Sequence, residues 1–334
     1  MKRGRWVVSV VGATGLVGSE ITRVLFQRQF PLKDLRLFSS GKRVDAVSGL
    51  PAVARAIMPY DTVAVTGSDI TFLAAGGAFS REHALSIASG GSVVIDNSST
   101  FRMDDGVPLV VPEVNPRDAL NHAGIIANPN CSTIQMVLVL APLHREWGLR
   151  RVVVSTYQSV SGAGLRAVGE LAVHSEASLR GDSLEPEEFA HEIGFNIIPH
   201  IDRFDSNGWT FEEKKMMNET RKILGDRSIS VLATAVRVPV FRGHSESVYA
   251  EFHSEVNLAR ARDILCRAEG VRLVDEPLSR RYPTPLDCVG RDETLVGRIR
   301  QDPESHQGLC LWIVSDNLRK GAALNAVQIA ELLI

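Results

Sequence analysis

No two cysteines of this 334-residue chain stand close enough to suggest a bridge or a metal knuckle. The four, Cys131, Cys266, Cys288 and Cys310, are scattered, with no CxxC pair. That spacing excludes a disulfide scaffold and a cysteine-based zinc site, so no metal is expected. Three of them, Cys266, Cys288 and Cys310, read as inert thiols. No apolar run reaches the length of a membrane-spanning helix. The stretch after Trp6 is too short for a signal peptide and is broken at Gly12, so a reducing cytoplasm is the expected compartment. Basic runs are missing too. Lys and Arg number 37 against 39 Asp and Glu, a net charge of −2, so neither nucleic acid nor an anionic membrane is an expected partner. Linkers rich in Pro, Gly or Ser, internal repeats and low-complexity tracts are likewise missing. What remains is ordinary for a soluble globular chain, 44% hydrophobic and 23% charged, and its length fits two closely joined domains.

The first third alternates two patterns. Apolar runs at Trp6–Val11, Asp34–Phe38, Thr71–Ala75, Ser92–Asp96, Leu109–Val111 and Gly124–Ala127 read as strands. Helical patterns at Gly15–Arg28 and near Ser80–Ser89 separate them. Near-continuous apolar strands of this kind predict a doubly wound, Rossmann-like parallel sheet. After Arg150 the strands lengthen and alternate in part, at Val152–Tyr157, Ile229–Val238, Ser247–Glu255 and Leu309–Val314. These predict an α+β domain with a mixed sheet and one open face. A final helix is expected over Gly321–Leu333. The polar, proline-interrupted stretch Gly181–Gly208 is the candidate subunit contact.

Gly12-Ala13-Thr14-Gly15-Leu16-Val17-Gly18 follows the first strand and opens a helix. Glycines there let main chain approach a pyrophosphate, which the helix N-terminus attracts. After the second strand comes Ser39-Ser40-Gly41-Lys42-Arg43, where an NAD enzyme would normally offer an acid. Two hydroxyls and two cations suit a 2′-phosphate, so NADP is the expected cofactor.

Asn128-Pro129-Asn130-Cys131-Ser132-Thr133 places a cysteine where a long apolar helix begins. The positive end of a helix favours thiolate over thiol. A thiolate beside a nicotinamide can hold an aldehyde carbon as a thiohemiacetal and, after oxidation, as a thioester that phosphate can attack.

These motifs do not stand alone. Ser159-Val160-Ser161-Gly162-Ala163-Gly164, Glu212-Glu213-Lys214-Lys215 with Glu219-Thr220, Arg237-Val238-Pro239-Val240 with His244-Ser245-Glu246, and Asp316-Asn317-Leu318-Arg319-Lys320-Gly321-Ala322-Ala323 follow in order. Together with the glycine turn and the cysteine turn, they resemble aspartate-β-semialdehyde dehydrogenases, in the shorter bacterial form, over essentially the whole chain. The resemblance implies NADPH-dependent reductive dephosphorylation of L-aspartyl-4-phosphate to L-aspartate-4-semialdehyde, with inorganic phosphate as the other product. It implies Cys131 as nucleophile, His244 as acid/base and Gln158 as a group that orients substrate. Arg237 would grip the α-carboxylate and Glu212 the ammonium, while Arg102, Asn130 and Lys215 would hold phosphate. Ser161 to Gly164 and Asn317 would approach the nicotinamide half of the cofactor. Residues 1–130 with 320–334 would bind cofactor, and 131–319 would carry catalysis and the contact of a homodimer or homotetramer.

Within the same chemical class, N-acetyl-γ-glutamyl-phosphate reductase is the alternative. An acetylated amine has no use for Glu212, and that enzyme has glycine rather than asparagine before its cysteine. A catalytically silent nucleotide-binding relative would have lost Cys131, Gln158 or His244, and all three are present. One departure from the family's pattern stands out. The segment that often reads Ser-x-Arg-Ser-Ala-Gly-Lys is shortened here to Ser39-Ser40-Gly41-Lys42, leaving Lys42 or Arg43 to meet the 2′-phosphate.

Overall fold

A computed structural model describes residues 6–41 and 57–334. The chain divides into two compact units, Met1–Pro129 with Ala322–Ile334, and Asn130–Gly321. The first unit runs β1 (Trp6–Val11), α1 (Leu16–Gln27), β2 (Leu32–Ser39), β3 (Ile57–Pro59), α2 (Thr62–Thr66), β4 (Ile70–Leu73), α3 (Gly77–Ser89), β5 (Val93–Asp96) and β6 (Ile125–Ala127). Its strands form one parallel sheet in the order β3-β2-β1-β4-β5-β6. β4 and β6 are buried throughout because both faces of the sheet are covered there, whereas β2 opens with exposed Lys33 and Asp34. Val8, Val10 and Phe72 pack with Ile21, Val24 and Leu25 of α1 and with Leu324 and Val327 of the closing helix Leu324–Glu331. Val11, Leu73 and Val94 pack with Ala84 and Ile87 of α3 on the other side. The strand order reverses between β1 and β4, the place where such sheets bind ligands.

The second unit runs α4 (Cys131–Trp147), β7 (Leu149–Gln158), α5 (Leu165–Arg180), α6 (Phe211–Leu224), β8 (Ser230–Arg237), β9 (His244–Phe252), α7 (Leu258–Arg267), β10 (Val271–Leu273), β11 (Thr294–Asp302) and β12 (Ser305–Ser315). Its sheet is mixed, in the order β10-β11-β12-β9-β7-β8. β9 pairs antiparallel with β12 and β7, while β7 and β8 are parallel. On β7, Val152, Val154, Thr156 and Gln158 point into the unit, whereas Val153 is 39% exposed. Helix α4 contacts the sheet together with α6 and α7, which is why it is buried without interruption from Ser132 to Ala141.

Two expectations change. Leu109–Val111 forms no strand, only a parallel bridge from Leu109 to Ala127. Pro108 and Pro112 flank it and withhold the ladder donors that a strand needs. The final helix begins later than its pattern suggests, after a wide π turn over Arg319–Ala323. Among the described residues no helix is long and apolar enough to cross a membrane.

Candidate active site

The glycine turn lies at the reversal of the first unit's sheet. Gly12 has φ +86, and a Cβ there would stand 2.4 Å from the carbonyl oxygen of Ala74, just past β4. A Cβ on Gly18 would stand 2.2 Å from the carbonyl oxygen of Gly12. The first glycine therefore admits the turn, and the last brings α1 hard against it. Gly15 caps α1 with no side chain, and the first helical turn holds no acid, so its amides face outward uncompensated. This cradle fits a pyrophosphate. Ser39 ends β2, buried, and Ser40 follows it exposed, while Lys42 and Arg43 lie outside the described residues. Arg102 also belongs to this unit, where its guanidinium donates to the carbonyls of Asn128 and Asn97.

In the second unit the cysteine turn is organised by Asn130. Its side-chain oxygen accepts from the amides of Ser132 and Thr133 at 3.0 and 3.2 Å, capping α4. Its side-chain nitrogen donates to Glu212 at 2.8 Å, and its main-chain nitrogen donates to Glu219 at 2.7 Å. Cys131 is thus the first helical residue, partly exposed between buried neighbours. A Cβ on Gly321 would come within 3.0 Å of the Cys131 Cβ, so the glycine of the last motif makes room for the cysteine.

Glu212 collects the site's donors. It accepts from Asn130, from Gln158 at 3.2 Å and from Lys215 at 3.1 Å. Burial would raise its pKa, but the Lys215 charge and these three donors outweigh burial and hold the carboxyl at about 2. Lys215 answers in kind. Burial disfavours its charge, yet Glu212 and Asp202 raise its pKa above the ordinary range. Asp202 takes its ammonium at 2.7 Å from within the Gly181–Gly208 stretch. Glu213 points elsewhere, closing a capping box with Thr210 and accepting from the amide of Ala235.

Arg237 ends β8 beside Gln158, its register partner on β7. It is buried, donates to the Ser159 carbonyl at 2.7 Å and lies over the Phe189 ring. His244 begins β9, fully buried, and its Nδ1 accepts from the main-chain amide of Ser159 at 3.0 Å. A nitrogen that accepts an N–H carries no proton itself, so the neutral ring holds its proton on Nε2. Burial first, then the Arg237 charge, lower its pKa to about 3. The turn Ser161–Gly164 passes directly over this pair. A Cβ on Gly162 would lie 3.1 Å from Arg237 Nη1 and 3.2 Å from His244 Nε2. Asn317 holds the same turn, donating to Ser161 at 2.9 Å and accepting from the amide of Gly243.

The structure therefore brings Asn130, Gln158, Glu212 and Lys215 into one hydrogen-bonded set, and Arg237, His244, Gly162 and Asn317 into an adjoining one. Sequence reasoning gave no role to Asp202, Glu219 or Ser159. Glu219 lay inside a quoted motif. Asp202 had only the anomaly of its long irregular segment, and Ser159 meets His244 through both its main-chain amide and its hydroxyl. Cys288 is inert, its thiol pushed up to about 12 chiefly by burial. Among the described residues no cluster of acids, histidines and cysteines could hold a metal ion.

The two low values have a consequence for folding. Both groups have folded pKa values below their ordinary ones, so each stabilises the fold at neutral pH and loses that contribution as pH falls. For His244 the window runs from about pH 6.5 to 3, and for Glu212 from about 4.5 to 2. Thermal unfolding should show Tm dropping steadily below about pH 6.5. His244→Asn should flatten the upper part of that drop; an unchanged slope would show that another group dominates.

Two family models match the chain. Semialdehyde dehydrogenase, NAD binding domain, covers residues 7–123, and semialdehyde dehydrogenase, dimerisation domain, covers residues 140–320. The class is thus an oxidoreductase that handles a semialdehyde with a nicotinamide cofactor. The aspartate-semialdehyde dehydrogenase of Aquifex aeolicus is 49% identical over 333 residues, 98% of this chain and 97% of that protein. That of Bacillus subtilis is 46% identical over 334 residues, 98% of this chain and 96% of its own. The crystal structure of aspartate semialdehyde dehydrogenase II from Vibrio cholerae, complexed with ASA, matches with a TM-score of 0.94 at 43% identity, covering 99% and 98% of the two chains. The chain belongs to the aspartate-semialdehyde dehydrogenase family. Its activity is the reversible reductive dephosphorylation of L-aspartyl-4-phosphate to L-aspartate-4-semialdehyde, a step of amino-acid biosynthesis.

Proposed function

We propose that this reaction runs through Cys131, and that NADP is the cofactor. One observation carries the reading: the donors and charges that aspartyl phosphate requires converge within a single unit around the start of the Cys131 helix. The Cys131 thiolate attacks the acyl phosphate carbonyl, the C–O bond breaks and phosphate leaves, giving a thioester. Reduced NADP, whose pyrophosphate the Gly12–Gly18 cradle would hold, would supply the hydride that the thioester carbon takes up. His244, with its proton on Nε2, steadies the developing oxyanion through a hydrogen bond and keeps that proton. The oxyanion then collapses, the C–S bond breaks, the aldehyde leaves and the thiolate is restored.

Three charged groups of the substrate find partners of matching geometry. Arg237 offers a planar fork to the α-carboxylate. Glu212, ionised and buried, suits the ammonium. Lys215 spends two N–H groups on Glu212 and Asp202 and keeps a third for phosphate, with Asn130 beside it and Arg102 assigned there by family resemblance. Glu212→Gln should raise KM for the semialdehyde by about 10- to 100-fold, since a hydrogen bond to a charged partner is lost. An unchanged KM would refute the assignment.

Four cysteines without a disulfide suit a reducing cytoplasm. For the oligomer we propose a homodimer formed on the open face of the second sheet. Val153, Tyr157, Leu232, Val236 and Tyr249 face outward there with only partial cover, on the domain that matches the dimerisation model. Sedimentation velocity should give twice the chain mass. The activity is tested by mixing purified protein with semialdehyde, phosphate and NADP+ and following absorbance of the reduced cofactor. Reduction that needs no phosphate would overturn the reading.

A further inference from the structure

Behind the site lies a buried acid that none of the roles above employs. Glu246 stands two residues beyond His244 on β9, and so on the same face of the sheet. Gln135 stands four residues beyond Cys131 on α4, one turn along the same helical face. Both side chains are fully buried, and α4 packs on β9. Their polar ends are near neighbours, yet neither makes a hydrogen bond of ordinary geometry, with the other or with any other described group. The cross-strand neighbours of Glu246, Thr156 and Ile313, carry no charge that could compensate a carboxylate. Burial pushes the Glu246 carboxyl well above its ordinary range, and the opposing influence of Gln135 does not overcome it.

The chemistry of the two groups agrees with that state. A carboxylate would face the amide oxygen with nothing to donate. A neutral acid and a primary amide match along both edges, O–H to C=O and N–H to C=O. A pair satisfied on both sides and shut away from water rigidifies its surroundings.

We propose that Glu246, paired with Gln135, is a positioning residue that locks the strand bearing His244 to the helix bearing Cys131. The proposal rests on the roles assigned to those two residues. The link spans two residues on one element and one turn on the other, so it fixes the distance over which sulfur and imidazole must cooperate. A loss of even an ångström in that register costs catalysis more than it costs substrate binding.

The test uses the full-length protein and three variants. Replacing both partners with apolar groups, Gln135→Leu with Glu246→Leu, should leave Tm close to wild type, because no orphaned polar group remains. It should lower kcat by about 10- to 100-fold, with KM within about twofold, and slow alkylation of Cys131 by iodoacetamide. The exchange variant, Gln135→Glu with Glu246→Gln, restores an acid facing an amide and should recover most of kcat and of the alkylation rate. Infrared difference spectra at neutral pH should show a protonated-carboxyl stretch that Glu246→Gln removes. Wild-type kcat and alkylation in the double leucine variant would overturn the proposal. So would an exchange variant as slow as the leucine pair, or a missing carboxyl stretch. Should the leucine pair fail to fold, the exchange variant and the spectrum still decide. If Cys131→Ala keeps turning over, the roles themselves fail; if only the Glu246 variants are silent, this proposal alone fails.

Discussion

Cys131→Ala should lower turnover by at least about 10⁴-fold while leaving the dissociation constant of the nicotinamide cofactor within about twofold of wild type. The size follows from the reaction. Both directions need a covalent bond to sulfur, and Cys288, buried with a pKa of about 12, cannot deputise. The selectivity follows from the fold. The pyrophosphate cradle is built from Gly12, Gly15 and Gly18 in the first unit, and Cys131 heads a helix of the second. Isothermal titration with cofactor and a coupled assay would separate the two effects. Equal loss of binding and turnover would indicate a folding defect, and persistent turnover would remove Cys131 from the mechanism. Alanine in place of cysteine leaves the cap of α4 intact, since Asn130 supplies it.

His244→Asn should reduce kcat by about 10²- to 10³-fold, the usual range for a lost oxyanion donor, with KM nearly unchanged. The ring is fully buried, and Nε2 faces Gly162 in the turn assigned to the nicotinamide. With its pKa at about 3, the empty enzyme holds it neutral throughout the physiological range. It therefore arrives as a neutral hydrogen-bond donor through Nε2, and becomes cationic only if substrate charge offsets the neighbouring Arg237. The pH profile is the informative readout. Between about pH 6 and 8 the loss should not vary with pH, because a ring with its pKa at about 3 stays neutral there; a loss that varied would give the ring a proton-transfer role.

Much of this site was legible in the sequence because its parts are local. The strand–turn–helix around Gly12, the asparagine cap before Cys131 and the paired charges at Glu212 and Lys215 each lie within a few residues of one another. So does the parallel sheet, whose strands announce themselves by unbroken apolar runs. The illegible parts depend on distance or on main chain. Asp202 reaches Lys215 from an irregular stretch whose path no periodicity describes. Glu219 meets the amide of Asn130 across 89 residues of sequence. Leu109–Val111 looked like a strand because its composition suits one, while the prolines beside it decided otherwise. Glu246 was visible as a letter in a motif but not as a buried acid, since only the sheet's register turns it inward beside Gln135.

The amide of Ser159 that bonds His244 has a further meaning for anyone who would alter this enzyme. Because one partner of Nδ1 is a peptide group, every residue at that position except proline supplies that bond. The tautomer of the histidine is thereby insulated from mutational drift in a way that a carboxylate partner would not allow. Directed evolution aimed at this histidine can trim the Ser159 hydroxyl, which also stands 3.0 Å from Nδ1, yet the hydrogen bond from the amide remains. Its handle is the reach of the strand itself, and Ser159→Pro is the one substitution there that would withdraw the bond outright.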